Sequence, residues 1–325
     1  MSTSSGTVTV IGAGTIGLGW TTLFLASGLT VRVNSRNPEA ADVVRKAVEL
    51  HAPGVPGGAD PADLLSRLEL ESDLEKAVAD ADVVQENTPE DARLKQELFG
   101  RIEKAAPAGA LLLSSTSSIP PAVLGTGLRE PDRVVVGHPF NPPHVVPLVE
   151  VVGGRPELVE RAAEFYRSVG KVPVVLRKPI LGFAANRLQS ALLRESIHLV
   201  REGVVTVGEL DEIVTASIGL RWSTVGPFLA FHLGGGPGGL RHWLSHLGVG
   251  LEAGWEQLGR PAMDEETVRL LVEQADTAYG GRTFEELTVE RDIRQNAVLE
   301  ALAKAPAEAT TAAAGAAGTG EETTR

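Results

Sequence analysis

The sequence predicts an α/β fold, in which a doubly wound, mostly parallel sheet is followed by a smaller all-α domain. Up to residue 176, short apolar runs rich in β-branched residues alternate with amphipathic stretches, as in parallel strands joined by helical crossovers. From residue 182 the chain has the pattern of helices without clear strands. We therefore expect a nucleotide-binding domain at 1–181, a helical substrate and dimerisation domain at 182–303, and a disordered tail poor in large apolar residues at 304–325.

The first predicted strand leads directly into a glycine-rich turn. Residues 8–17, VTVIGAGTIG, place three glycines in the spacing G-x-G-x-x-G before an apolar helix. The first glycine permits a tight turn, the second lets the backbone approach a pyrophosphate, and the third lets helix and strand pack closely. The helix N-terminus then offers free N–H groups to the phosphates. This predicts a Rossmann-type fold whose cofactor-binding residues include Gly12, Gly14, Thr15, Ile16 and Gly17.

The end of the second predicted strand indicates which dinucleotide binds. Sites for NAD usually place Asp or Glu about twenty residues beyond the glycines, where it accepts hydrogen bonds from the ribose 2′-hydroxyl. Here no acid occurs between Gly17 and Glu39, and the expected position holds Ser35 beside Arg36. A hydroxyl and a guanidinium would bind a 2′-phosphate that a carboxylate would repel. We therefore predict that NADP(H) is preferred over NAD(H).

Composition excludes several other classes of protein. The 325 residues contain no cysteine and no run of apolar residues long enough for a membrane span, and the first five residues lack a signal-peptide pattern. The formal net charge of −12 argues against a nucleic-acid or anionic-membrane partner. No His and acid pairs fall at metal-ligand spacing, so no metal site is expected. We expect a cytoplasmic protein that acts on a small molecule.

A set of polar residues follows the strands near the end of the first domain. Hydroxyl groups at 114–118 and the segment 137–142, GHPFNP, each come just past a predicted strand, where open α/β sheets bind ligands. Glu150 lies within an otherwise apolar strand, and a buried glutamate requires a partner such as His138. A hydride-transfer site needs a base or acid, a carboxylate to orient it, and donors to polarise a carbonyl. The sequence therefore favours a dehydrogenase or reductase.

These motifs, in this order, resemble the 3-hydroxyacyl-CoA dehydrogenase family. The resemblance covers roughly residues 8–260, and it rests on the glycine turn, STSS at 115–118, HPFNP at 138–142, LVEV at 148–151 and GFAANR at 182–187. It implies His138 as general acid/base, Glu150 as its orienting partner, and Ser117 and Asn186 as hydrogen-bonding groups on the substrate oxygen. Ser118 replaces Ser117 if the register slips by one residue.

The resemblance also implies further contacts. Asn141 follows the histidine in the family pattern and is predicted to fix the surrounding loop at the cofactor. Glu86, at the end of its strand, matches a family position near the nicotinamide ribose. His144 lies near the site, but no direct role is expected for it, because no acid follows it at matching spacing. The second domain forms the subunit interface in this family, so a homodimer is expected.

The expected substrate is a β-keto or β-hydroxy acid. The region 47–80 is short and poor in basic residues, unlike the lysine-rich insertion with which acyl-CoA members contact CoA. Residues 218–247 resemble ketoreductases of actinorhodin-type aromatic polyketide pathways, and the branch of the family that includes lambda-crystallin. The first hypothesis is an NADPH-dependent ketoreductase acting on an aromatic polyketide. The alternatives are an NAD-dependent dehydrogenase of L-carnitine, L-gulonate or a 3-hydroxyacyl-CoA, or a structural protein that has lost the chemistry.

Overall fold

A computed structural model describes residues 6–246 and 248–305. Eight strands form one sheet with the order β3-β2-β1-β4-β5-β6-β7-β8, parallel except where β7 pairs antiparallel with β6. The sheet and the helical part that follows it confirm the predicted fold class. The strands are β1 Thr7–Ile11, β2 Thr30–Asn34, β3 Leu68–Leu70, β4 Val83–Glu86, β5 Leu111–Ser114, β6 Val134–Pro139, β7 Leu148–Val152 and β8 Val172–Val175.

Helices cover both faces of the sheet, because its strands are apolar on both sides. One buried cluster centres on Trp20, Phe24 and Tyr166, and the cluster on the other face centres on Phe99 and Ile102. The helices of this part are α1 Thr15–Ala26, α2 Ala40–His51, α3 Pro61–Leu65, α4 Leu74–Val78, α5 Ala92–Ala105, α6 Pro121–Leu124 and α7 Pro156–Ser168.

The turn between β1 and α1 needs glycine at two positions. Gly12 has a φ of +95°, a region that other residues rarely adopt. A Cβ atom on Gly17 would lie 2.0 Å from the carbonyl oxygen of Gly12. The close packing of helix on strand therefore depends on the third glycine of the motif. The turn lies beside β4, where the strand order reverses, and open sheets bind ligands at such a point.

The second part of the chain is helical and sparsely buried. Of its helices, α9 to α11 and α13 contain no buried residue, and many large apolar side chains are exposed. No helix within the described ranges is both long enough and apolar enough to span a membrane. Most of the predicted tail, residues 306–325, lies outside those ranges. The helices are α8 Ala185–Arg201, α9 Val207–Ala216, α10 Ile218–Thr224, α11 Pro227–Gly234, α12 Gly239–His246, α13 Leu251–Glu256, α14 Glu265–Tyr279 and α15 Phe284–Lys304.

Candidate active site

A cleft of about 780 Å³ lies over the glycine turn, within the range of about 300–1,000 Å³ that is usual for small-molecule sites. Gly14, at the start of α1, has open space where a Cβ would point, so a ligand can approach its backbone. The first N–H groups of the helix have no intrahelical acceptors and suit a phosphate. Of the residues predicted to bind cofactor, those that line this cleft are Gly12, Gly14, Thr15, Ile16, Ser35 and Arg36, whereas Gly17 is buried behind it.

His138 and Glu150 face each other across the antiparallel pair β6–β7. They are direct partners in the strand register, and Nδ1 of His138 lies 3.1 Å from Oε2 of Glu150. Both side chains are buried. Since an ionised carboxylate can only accept hydrogen bonds, Nδ1 carries the proton, and the neutral ring presents an unprotonated Nε2. Nδ2 of Asn186 lies 3.4 Å from Nε2 and can donate to it.

Glu150 is held in its ionised form by the start of α8. Its Oε1 accepts hydrogen bonds from the backbone N–H groups of Ala184 and Ala185, at 2.8 and 3.1 Å. Burial alone would raise the pKa of Glu150, but the hydrogen bonds from His138 and these two amides outweigh that cost and lower it. The dyad is therefore assembled by two adjacent strands and the first helix of the second part of the chain.

Phe183 occupies the connection between these parts in a left-handed conformation. Its φ is 47°, which is unfavourable for a residue with a side chain. The ring is buried, with its centroid 5.1 Å from that of His138. The same backbone turn precedes the two amides that bind Glu150. Phe183 thus packs against one member of the dyad while its backbone leads to the donors for the other.

A second cleft, of about 420 Å³, contains the exposed edge of His138. Ser117, Asn141 and Asn186 line it with the histidine, so the structure brings these predicted residues together. Ser118 is not among the lining residues and donates its hydroxyl to Oε1 of Glu90 at 2.7 Å, whereas the hydroxyl of Ser117 lies farther from the same oxygen, at 3.4 Å. The two clefts share the wall residues Ile16, Asn87 and Thr88, and they therefore lie side by side at the carboxyl ends of the strands.

The structure does not place Glu86 at the cofactor cleft. Its side chain is fully buried, and its carboxylate accepts two hydrogen bonds from Lys95 Nζ at 2.7 and 2.9 Å and one from Ser114 at 2.6 Å. The backbone N–H and hydroxyl of Thr88 bind the same carboxylate. The expectation of a contact between Glu86 and the ribose therefore disagrees with its burial. The end of β4 is directed inward because Lys95, on the buried side of α5, needs a counter-charge.

Two further residues line the cleft beside His138 and were not predicted from the sequence, Glu90 and Lys95. Oε1 of Glu90 accepts hydrogen bonds from the backbone of Ser117 and Ser118 and from the hydroxyl of Thr116. Burial opposes the ionisation of Glu90, but these bonds and the charge of Lys95 outweigh it and lower its pKa. Lys95 could have been found, since it lies four residues before Phe99 on the buried stripe of α5 and so requires a buried partner.

Comparison with known proteins identifies the family of this chain. The sequence model of the 3-hydroxyacyl-CoA dehydrogenase NAD-binding domain matches residues 7–179, and that of the C-terminal domain of the same family matches 182–270. The structure of the dehydrogenase of 5-formyl-3-hydroxy-2-methylpyridine 4-carboxylic acid, described as an NAD⁺-dependent dismutase, covers 92% of this chain and 98% of its own with a TM-score of 0.74 and 28% identity. A 3-hydroxyacyl-CoA dehydrogenase from Archaeoglobus fulgidus gives a TM-score of 0.63 and 27% identity over 92% of this chain and 99% of its own.

The relatives named L-carnitine dehydrogenase overturn the expected polyketide substrate. The protein from Streptomyces griseus is 42% identical over 311 residues, which cover 94% of this chain and 92% of the relative. The protein from Burkholderia mallei is 41% identical over 305 residues, covering 91% and 94%. The hypothesis of an aromatic polyketide ketoreductase, which rested on residues 218–247, is therefore wrong. The chain belongs to the 3-hydroxyacyl-CoA dehydrogenase family, and it is a nicotinamide-dependent oxidoreductase that acts on CH–OH groups.

Proposed function

We propose that the protein is a dehydrogenase of a small β-hydroxy acid, with L-carnitine as the first candidate substrate. The observation that carries the proposal is the His138–Glu150 dyad, whose unprotonated Nε2 faces a cleft beside the dinucleotide cleft. Relatives that match more than nine-tenths of the chain carry the name L-carnitine dehydrogenase. We also propose that the nucleotide-binding domain ends at residue 181 and that the helical domain begins at residue 182.

The residues over the glycine turn fit a nicotinamide dinucleotide. Gly14 leaves its backbone open to a phosphate, and the start of α1 supplies N–H groups and a positive dipole end. Ser35 and Arg36 would hold the adenosine ribose, and Asn141, which lines the neighbouring cleft, would contact the nicotinamide end. When bound, the cofactor accepts or donates the hydride.

In the direction of oxidation, His138 acts as the general base. Nε2 takes the proton of the substrate hydroxyl, while Nδ1 keeps its hydrogen bond to Glu150. The ring then carries a positive charge, which the carboxylate of Glu150 stabilises from the buried side. Because Glu150 is also bound by two amides, it cannot turn away from the ring. In the reverse direction the same Nε2 returns the proton.

Ser117 and Asn186 are proposed to bind the substrate oxygen. Both line the cleft beside His138, and both side chains can donate hydrogen bonds. Hydrogen-bond donors beside the substrate oxygen stabilise the negative charge that this oxygen carries while its proton is being transferred. Glu90 holds the backbone of Ser117 at 3.0 Å, so the position of this hydroxyl is set by a second carboxylate.

We propose that the cofactor preference is for NADP(H). Ser35 and Arg36 line the dinucleotide cleft at the end of β2, and Arg36 is exposed, with its guanidinium available for a 2′-phosphate. The family model is named for NAD, so this chain would depart from the usual specificity. Comparing kcat/KM for NAD⁺ and NADP⁺ tests the preference, and equal or better use of NAD⁺ would refute it.

A homodimer is proposed because of the apolar surface of the helical part. Phe228, Trp255 and Leu233 are 75%, 59% and 62% exposed, and other large apolar side chains are exposed on the same helices. Extended apolar surfaces of this kind usually mark an interface. Light scattering after size exclusion measures the mass directly. A monomer at micromolar concentration would contradict this part of the proposal.

The substrate is tested with a panel. Purified protein is supplied with NAD⁺ or NADP⁺ and with L-carnitine, D-carnitine, L-gulonate, 3-hydroxybutyrate or 3-hydroxybutyryl-CoA, and formation of reduced cofactor is followed. We expect the highest kcat/KM for a free hydroxy acid, with L-carnitine preferred over its enantiomer. A higher kcat/KM for the CoA thioester than for each free acid would contradict the proposal.

A further inference from the structure

The loop between β6 and β7, residues 140–147, forms one wall of the active-site cleft; we name it the dyad loop. Phe140 and Asn141 line the cleft, two and three residues after His138. The following residues 142–145 are buried against the rest of the protein. Since this loop joins the two strands that carry His138 and Glu150, its position affects both the cleft and the dyad.

Lys171, just before β8, holds the dyad loop from one side. Its Nζ donates hydrogen bonds to the carbonyl oxygens of Pro143 and Val146, the latter at 2.7 Å. The same ammonium group lies 5.3 Å from the centre of the Trp20 ring, an arrangement typical of a cation–π contact. These contacts come from the sheet domain itself.

Asp292 of helix α15 holds the dyad loop from the other side. Oδ2 of Asp292 lies 2.9 Å from Nε2 of His144, although the two residues are 148 positions apart in the chain. Both side chains are buried. Oδ1 accepts a hydrogen bond from Nε of Arg291 at 2.8 Å. Burial would raise the pKa of Asp292, but the bonds from His144 and Arg291 outweigh it and lower that pKa, so the carboxylate is ionised at neutral pH.

The surroundings of this pair are tightly packed. A Cβ atom on Gly54 would lie 2.6 Å from Oδ2 of Asp292, so only glycine allows this approach. Nδ2 of Asn296, one turn further along α15, donates to the carbonyl oxygen of Gly54 at 2.6 Å. The ring of His51 stacks on that of His144 with centroids 4.1 Å apart. Helix α15 is therefore docked on the sheet domain at the place where it meets the dyad loop.

We propose that Asp292 is a positioning residue for the reaction, which fixes the dyad loop to helix α15 through its hydrogen bond to His144. Asp292 lies beyond residues 182–270, the part that matches the C-terminal domain of the family. Helix α15, the last helix of the described residues, thus contributes to the geometry of a cleft that it does not line. The test of this inference by turnover rests on the proposed function, whereas its test by hydrogen exchange does not.

The test compares Asp292→Ala with Asp292→Asn, which keeps a hydrogen-bonding partner for His144, and with Glu285→Ala, an exposed residue of the same helix. For Asp292→Ala we expect kcat to fall roughly ten- to a hundredfold, because displaced reacting groups cost rate, while the Kd for the cofactor stays near that of the wild type. Asp292→Asn should recover most of kcat, and Glu285→Ala should resemble the wild type. Rates are compared per folded subunit, well below each Tm.

Amide hydrogen exchange supplies a readout that needs no substrate. We expect faster exchange in the dyad loop of Asp292→Ala than in the wild type or in Glu285→Ala. Gly54→Ala should give the same two effects, since its methyl group would collide with Asp292, and it serves as the second variant if Asp292→Ala does not fold. The inference would be overturned if Asp292→Ala left both the exchange of the dyad loop and kcat unchanged. It would also be overturned if Asp292→Asn lost as much kcat as Asp292→Ala. A wild-type protein inactive on all hydroxy acids would instead count against the proposed function.

Discussion

Nδ1 of His138 lies 3.1 Å from Oε2 of Glu150 because the two residues are direct partners on adjacent antiparallel strands. Strand pairing thus sets the separation of the two side chains. The carboxylate is bound in addition by the first amides of α8, which leaves the imidazole one orientation. Nε2 of the ring, which Nδ2 of Asn186 approaches at 3.4 Å, is directed at the cleft as a consequence.

Glu150→Gln is expected to lower kcat by roughly a hundredfold or more, a usual size for the loss of a general acid–base contribution. The amide can still hydrogen-bond, but it cannot balance the charge of the ring, and it can stabilise the wrong tautomer. Cofactor binding, followed by the fluorescence of the reduced nicotinamide, should remain at the wild-type level. Turnover near that of the wild type would show that Glu150 has no part in the reaction.

Arg36→Ala is expected to weaken binding of NADP⁺ by roughly ten- to a hundredfold, since a charge-assisted hydrogen bond contributes about 1.5–3 kcal/mol. Binding of NAD⁺, which has no 2′-phosphate, should change little. Arg45→Ala is the matched control, because Arg45 is exposed on α2 outside the cleft. Titration of both cofactors against the three proteins checks the prediction. Equal losses for NAD⁺ and NADP⁺ would contradict it.

Lys95→Met is expected to lower the free energy of unfolding by about 3–5 kcal/mol, because it leaves the buried carboxylate of Glu86 without its counter-charge. The double variant Lys95→Met/Glu86→Gln should recover part of this loss. Chemical denaturation of the wild type, Lys95→Met and the double variant measures the loss in the free energy of unfolding and its recovery. If Glu86→Gln alone weakened cofactor binding and left stability unchanged, Glu86 would have the ribose contact expected from the sequence.

Phe183→Gly is expected to be at least as stable as Phe183→Ala. Both variants lose the packing of the ring against His138, a loss of about 3–5 kcal/mol for a buried phenylalanine. Glycine, however, adopts a φ of 47° without the penalty that alanine retains. In an ordinary backbone conformation the order would be reversed. Thermal unfolding of the two variants decides between these orders.

The stability of the fold should fall as the pH decreases from about 6.5 toward 4. Burial, together with the neighbouring His144, lowers the pKa of His51 from 6.5 to about 4. Between these values the unfolded chain binds a proton that the folded chain does not, so acid favours unfolding. His51→Phe keeps a ring against His144 and should show a smaller loss. Denaturation midpoints of both proteins across this pH range test the effect, and parallel curves would contradict it.

The dyad could be predicted because its signal is local. Glu150 interrupts an apolar strand, and a buried carboxylate needs a partner, which the nearby strand end supplies as His138. The direction of the Glu86 side chain could not be predicted in this way. A residue at a strand end points either into the cleft or away from it, and Lys95 on the neighbouring helix decided the direction.

The link between His144 and Asp292 could not be predicted from the sequence. It joins residues that are 148 positions apart, and only the packing of α15 against the loop between β6 and β7 brings them together. The first hypothesis for the substrate, an aromatic polyketide, was wrong for a related reason, whereas L-carnitine was among the alternatives. Residues 218–246 lie on exposed helices and their connections, outside the walls of both clefts, so their resemblance to polyketide enzymes carried no information on the reacting groups.

Single-turnover reduction of the cofactor by L-carnitine tests the central claim most directly. With enzyme and cofactor in excess over L-carnitine, the wild-type protein should form up to one reduced cofactor per molecule of L-carnitine. His138→Ala should bind the cofactor equally well but form the product roughly 10²–10⁴-fold more slowly, the range expected for loss of the general base. Reduction at the wild-type rate in His138→Ala, or no reduction by the wild-type protein, would contradict the account.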